Sequence, residues 1–259
     1  MISNQIIQTS IDELKAITKV DIYVFDLDGI KVAATTEDIE ISREIITGFA
    51  ASPADSQVVG GYHFLKVLDD SEVAYVLASR SNNDDAYMVG KIAVSQIQNL
   101  IIAYKERFDR NNFFQNLILD NLLLVDIYNR AQKLHIEVEG PRIVYLVETR
   151  LEKDSSGMEL LRSLFSSQNG DYITAVDEKN IILIKAVERD ASPESLELVA
   201  NTIVDMMNSE AMLKVRVSYG TVVQELREVS KSYKEATMAM DVGRIFYAEK
   251  NVIAYSTLG

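Results

Sequence analysis

Apolar residues recur along the chain in two periods, and the switches between them divide it into segments. Over Asn4–Thr18, Ile6, Ile7, Ile11, Leu14 and Ile17 fall at helical spacing, with Ser3 or Asn4 available as cap. VDIYVFDLDGIKVAAT then shortens the period to two, giving a hairpin about Asp28–Gly29. Residues 37–50 return to helical spacing with Ile41, Ile45, Ile46 and Phe49 inward. YHFLKVLDDSEVAYVLASR predicts a second hairpin, turning at 69–71. Helix, hairpin, helix, hairpin and a following long helix predict a small antiparallel sheet with helices on one face.

From about Asp84 to Asn112 there is no proline and a single glycine, Gly90. Ile97, Leu100 or Ile101, Tyr104 and Phe108 form a stripe with Lys105, Glu106, Arg107 and Asp109 between them. Such a stripe suits an amphipathic surface helix or a two-stranded coiled coil. The helix outruns the small domain before it, so a homodimer through residues 85–120 is expected. Breaks are expected at Asn111–Asn112 and Asp120–Asn121. A further helix, about Leu122–Leu134, leads into the linker IEVEGP.

Beyond Pro141 the pattern reads strand (RIVYLVET), helix (SSGMELLRSLFSS, capped by Ser155 or Ser156) and a hairpin of DYITAV and NIILIKAV around DEKN. A helix opened by Ser192-Pro193 follows, then the strand KVRVSYG, a helix stopped near Gly243, and the strand NVIAYS. This βαββαβαβ order contains a ferredoxin-like core. The fold class is therefore α+β: an antiparallel-sheet domain over 1–83, a helical connector over 84–136, and a second domain over 141–259.

Composition narrows the functions open to such a chain. Its 259 residues are 47% apolar and 25% charged, enough for two domains. A net charge of −13, with no Lys/Arg cluster in either half, argues against nucleic-acid binding by these residues. The absence of cysteine excludes disulfides and thiolate chemistry, and suits a cytoplasmic protein. The first residues lack the basic and apolar regions of a signal peptide, and no apolar run is long enough for a membrane span. The two histidines, His63 and His135, fall in different domains and offer no metal-ligand spacing. No cofactor is expected.

Three stretches carry chemistry or resemblance. Val24-Phe25-Asp26-Leu27-Asp28-Gly29-Ile30 resembles the motif of haloacid-dehalogenase-type phosphatases, which would make Asp26 a nucleophile and Asp28 a general acid, both beside Mg²⁺. Lys31 onward continues directly as a second strand, however, leaving no crossover helix, and Asp-Gly is a common hairpin turn. The element order of the first domain looks like that of PAS and GAF sensors.

Val217-Ser218-Tyr219-Gly220-Thr221-Val222, with the helix Ser232–Arg244, is similar to the corresponding segments of GGDEF diguanylate cyclases. Such a cyclase needs a glycine-rich turn near the nucleotide and carboxylates for Mg²⁺. Here the turn is Asp177-Glu178-Lys179-Asn180 and the first strand ends Glu148-Thr149-Arg150, so a non-catalytic domain is expected. A degenerate domain of this kind behind a sensor and a helix, together with Leu119–Ala131, resembles CdaR/PucR-type transcription regulators. The resemblance implies a small-molecule effector, with DNA contacted only through a helix-turn-helix domain beyond these residues. An organic acid is the effector class expected, and Arg43, His63, Lys66 and Arg80 are the candidate ligands, with His63 and Arg80 converging.

Overall fold

The computed structural model describes residues 2–149 and 156–258. It divides into two units, residues 1–108 and 109–259. The division falls inside the span 84–136 read as a connector, because both ends of that span are drawn into hydrophobic cores.

In the first unit, α1 (Asn4–Thr18) begins at Ser3, whose hydroxyl accepts from the Ile6 N–H, and ends at Lys19 in the left-handed region. The strands β1 (Asp21–Phe25), β2 (Lys31–Ala34), β3 (Ser56–Val59), β4 (Tyr62–Asp69) and β5 (Glu72–Arg80) form an antiparallel sheet in the order β2-β1-β5-β4-β3. Both faces of this sheet are apolar. Ile22, Val24, Leu65, Val67 and Leu77 face α1 and α3 (Ala86–Ile118), whereas Tyr23, Phe25, Phe64, Val76 and Ala78 face α2 (Arg43–Ala51). The expectation of helices on one face is thereby corrected: the central strands bury both alternating sets, so each face requires a cover.

Three local expectations also change. The helix expected over 37–50 is confined to Arg43–Ala51, and Ile45 is exposed. The edge strand β3 escapes the pattern because its SQVV residues are largely exposed. The helix α3 runs without a break through Asn111–Asn112, and ends before Asp120, which takes a φ of 61°.

The α3 stripe is buried at Ile97 and Ile101, against the unit's own sheet, while Tyr104 and Phe108 are exposed. Over its first turns α3 is thus an amphipathic surface helix.

In the second unit, Phe113, Phe114, Leu117 and Ile118 from the end of α3, with Ile127 and Ala131 of α4 (Leu124–Lys133), belong to one core. There they meet even-numbered residues of β6 (Glu139–Thr149), so the IEVEGP linker is partly strand. The rest comprises α5 (Ser156–Leu164), β7 (Tyr172–Ala175), β8 (Asn180–Ala186), α6 (Pro193–Ser209), β9 (Val215–Tyr219), β10 (Val223–Glu225), α7 (Val229–Phe246) and β11 (Val252–Ala254). The sheet order is β11-β9-β6-β8-β7, with β10 on β6. Within it β9-β6-β8-β7 is the ferredoxin-like arrangement expected, its helices α5 and α6 sharing one face with Ile143, Tyr145 and Val147. The opposite face is covered by α7. Ser155 and Arg150, named above as a cap and as part of the first-strand motif, lie outside the described residues. Among the described residues no helix is long and apolar enough to cross a membrane.

Candidate functional site

The Asp26–Gly29 motif folds as a turn. Asp26 Oδ1 accepts from the N–H groups of Asp28 (3.0 Å) and Ile30 (2.8 Å), and Gly29 sits at a φ of +77°. β1 pairs with β2 antiparallel immediately after it. A phosphatase of that type needs its motif at the end of a strand in a parallel sheet, so this topology overturns the nucleophile and general-acid roles for Asp26 and Asp28.

Strand alternation decides where the four candidate ligands go. Arg80 and Lys66 side chains lie on the α2 face of the sheet. Arg80 Nη1 donates to the Tyr62 hydroxyl (2.8 Å) with its guanidinium 5.1 Å from that ring's centre. Lys66 donates to the Ser52 carbonyl, its ammonium 5.3 Å from the Phe49 ring centre. Neither has a carboxylate within ion-pair distance among the described residues.

Tyr62 meets Tyr23 edge-on at 5.8 Å, and the Tyr23 hydroxyl donates to the Asp38 carbonyl (3.0 Å). Burial, reinforced by Asp21 and Tyr62, pushes the Tyr23 phenol up to about 12. It therefore stays a neutral donor at physiological pH.

The other two candidates lie elsewhere. His63 pairs with Ser79 across β4 and β5 and packs against Tyr87 of α3, on the opposite face from Arg80. The expected convergence of His63 and Arg80 fails because Arg80 follows Ser79 by one residue, and each step along a strand changes face. Arg43 clamps the Asp28 carbonyl through Nε at 2.5 Å and so braces the β1–β2 turn. Arg80 and Lys66 share a face but stand four residues apart along the strand direction, roughly 13 Å.

In the second unit the resemblance motif proves to be a packing device. A Cβ on Gly220 would stand 2.1 Å from the Ser232 carbonyl oxygen, so β9 meets α7 only where a side chain is missing. Around this approach, Ser232 Oγ accepts from Val144 N (3.0 Å) and donates to Thr221 O (2.8 Å). The Ser218 hydroxyl donates to Ala236 O (2.7 Å), and buried Glu235 accepts from Thr221 N and Oγ1. Gly243 does not stop α7, which continues to Phe246. A Cβ there would stand 1.8 Å from Ile253 Cδ1, so the glycine admits β11.

At the far end of this sheet the carboxylates are already engaged. Asp177 Oδ1 accepts from the N–H groups of Lys179 and Asn180, both at 2.8 Å, and Oδ2 accepts from the Asn180 amide (2.7 Å). Burial opposes its ionisation, but these hydrogen bonds overcome that and hold its pKa below the usual carboxylate range. Glu148 accepts from Arg244 Nε (2.9 Å) and Nη2, while Arg244 Nη1 reaches Asp241 (2.9 Å). A guanidinium is thus the counter-ion of these carboxylates. Among the described residues no group of three or more His, Cys, Asp or Glu is placed to hold a metal.

Residues 121–242 match the family model of the GGDEF-like domain, so the second unit carries a domain of that class. The match starts before Pro141 and so includes α4. No curated protein matches the chain.

Solved structures similar to it include PelD from Pseudomonas aeruginosa PAO1 in complex with c-di-GMP, at 13% identity and TM-score 0.31, covering 96% of this chain and 90% of that one. The apo form of PelD from P. aeruginosa PA14 is similar at 13% identity and TM-score 0.30, covering 96% and 88%. A further PelD structure from PAO1, at 16% identity and TM-score 0.31, covers 85% and 82%.

Proposed function

We propose that this chain is a non-catalytic cytoplasmic signalling module, the sensing and dimerisation part of a CdaR/PucR-type transcription regulator. The observation that carries the non-catalytic reading is the Arg244 clamp on Glu148 and Asp241 beside a turn whose Asp177 caps its own backbone. Phosphoryl chemistry needs carboxylates free for Mg²⁺ and backbone open to a triphosphate. In this arrangement both are spent on the fold.

The first unit supplies the sensing. A small organic acid engages Arg80, whose guanidinium donates to the Tyr62 hydroxyl and, among the described residues, has no carboxylate within ion-pair distance. Lys66 serves an acid's second charge only if the ligand is long enough to reach it. Binding changes the packing of the sheet on α3, which enters the cores of both units and carries the change onward. Two copies associate along the exposed continuation of the α3 stripe at Tyr104 and Phe108. DNA is contacted by a domain outside these residues.

Thermal unfolding against a set of organic acids tests the sensing role. An acid that binds here raises the melting temperature of the first unit in the wild type and not in Arg80→Met. An identical rise of the first unit in both proteins would remove Arg80 from the site, and no rise of that unit with any acid would refute an organic-acid sensor.

A further inference from the structure

Arg142, at the start of β6, is only 4% exposed. Among the described residues two of its five N–H donors find partners, Nη1 at Gly140 O (3.3 Å) and Nη2 at Glu137 O (2.5 Å). Among the described residues its Nε has no partner, it is shielded from water, and no carboxylate lies within ion-pair distance of the guanidinium. Burial depresses its pKa, although Tyr172 and Glu137 work the other way. A guanidinium nevertheless stays charged in a protein, and a buried charge that is neither paired nor hydrated is costly. Domains rarely keep such a charge unless something else pairs with it.

Space for that partner is present. Arg142 lines a cleft of about 420 Å³ at this end of the sheet, closed by Tyr172, Ala186 and the Ser167–Gly170 turn. Glu137, Glu139 and His135 lie at its rim, and all three are exposed. The inner wall is therefore cationic and the rim anionic. A dianion would satisfy Arg142 but would meet the two rim carboxylates, whereas a single carboxylate with a neutral or cationic remainder would not.

We propose that this cleft binds a small monocarboxylate through Arg142, a second ligand site that is separate from Arg80 in the other unit. The carboxylate takes guanidinium donors left over by Gly140 and Glu137, and a cationic tail favours the rim. Propionate and 4-aminobutyrate are suitable probes, with succinate and inorganic phosphate as the doubly charged comparison.

The experiment is thermal unfolding and equilibrium titration of the full chain in chloride buffer at constant ionic strength. At about a hundredfold excess over Kd, propionate or 4-aminobutyrate should raise the melting temperature of the second unit by about 5–10 °C. 4-Aminobutyrate should bind more tightly than propionate, and both more tightly than succinate or phosphate. Arg142→Met should abolish the rise and, without carboxylate, be at least as stable as the wild type, since it removes the unpaired charge. Arg142→Lys keeps the charge without the planar fork and should weaken binding about tenfold, which preserves the test if the methionine variant does not fold. Arg80→Met should leave the effect intact, so failure here and failure of the sensing role remain distinguishable. The proposal is overturned if no monocarboxylate shifts the wild type, if Arg142→Lys and Arg142→Met respond as the wild type does, or if phosphate or succinate binds best.

Discussion

Substituting Gly220 by alanine isolates the contact that fastens β9 to α7. The residue's φ is not in the left-handed region, so alanine suffers no backbone penalty and the whole effect is steric. Its Cβ would meet Ser232 O at 2.1 Å, Ser232 Oγ at 2.7 Å and Ser232 C at 2.8 Å, against an ordinary contact that begins at 3.4 Å. Two of these atoms are helix backbone and cannot rotate aside, so α7 must retreat by more than an ångström. That retreat costs about 1–3 kcal/mol as overpacking. It also stretches the Ser232 bonds to Val144 N and Thr221 O, and stranding the buried Val144 N–H adds about 1–3 kcal/mol. A total near 4 kcal/mol in a domain of this size lowers the melting temperature by roughly 10 °C. Hydrogen exchange read on β6, β9 and α7 peptides assigns the loss to the second unit. Gly48→Ala is the control: a Cβ on this α2 residue meets nothing within 4 Å, so helix propensity alone should stabilise by about 0.5–1 kcal/mol. A Gly220→Ala protein melting within about 2 °C of the wild type would refute the close-approach reasoning.

Two further outcomes are expected. If two copies associate along α3 as proposed, Phe108→Glu combined with Tyr104→Glu should leave the chain monomeric in light scattering with its circular dichroism unchanged; a wild type that is already monomeric would refute α3 as an interface. Asp177→Ala should cost about 1 kcal/mol at neutral pH through loss of the turn's hydrogen bonds. Because the folded carboxyl titrates below its unfolded value, its contribution is present above the unfolded pKa and disappears as pH falls through the folded one. The difference in stability between wild type and Asp177→Ala should therefore shrink in acid, and a constant difference from neutral pH to pH ~2 would contradict this.

The sequence made the long-period features visible and hid those set by tertiary contact. α1 was legible because the Ile7, Ile11, Leu14 spacing is a local signal, although the sequence left Ser3 and Asn4 both open as cap and counted Ile6 and Ile17, which are exposed, in the stripe. The ferredoxin-like order was legible because strand and helix periods alternate cleanly from Pro141 onward. What could not be read was which face of the first sheet each strand residue would occupy. Tyr23 and Phe25 are as apolar as Ile22 and Val24, so alternation carried no contrast and the second cover, α2, went unplaced. The same gap misled the pairing of His63 with Arg80, since only the β4–β5 register shows that they point apart.

Gly243 looked like a helix stop, whereas it makes room for Ile253 of a strand that follows the helix. Arg142 gave no sign at all. It is one arginine after a proline, and its burial, with no counter-ion among the described residues, exists only once β6, β8 and the Ser167–Gly170 turn have met. The nearest sequence signal is a charged residue opening the apolar run RIVYLV.

The most direct test of a second unit that relays without reacting is incubation of the full chain with GTP and Mg²⁺, following pyrophosphate release and dinucleotide formation. No turnover above the buffer is predicted, with or without Mn²⁺ in place of Mg²⁺, because Arg244 holds Glu148 and Asp241 while Asp177 caps its own turn. Metal-dependent turnover that disappears in Glu148→Gln or Asp177→Ala would show those carboxylates at work on a nucleotide and contradict the account.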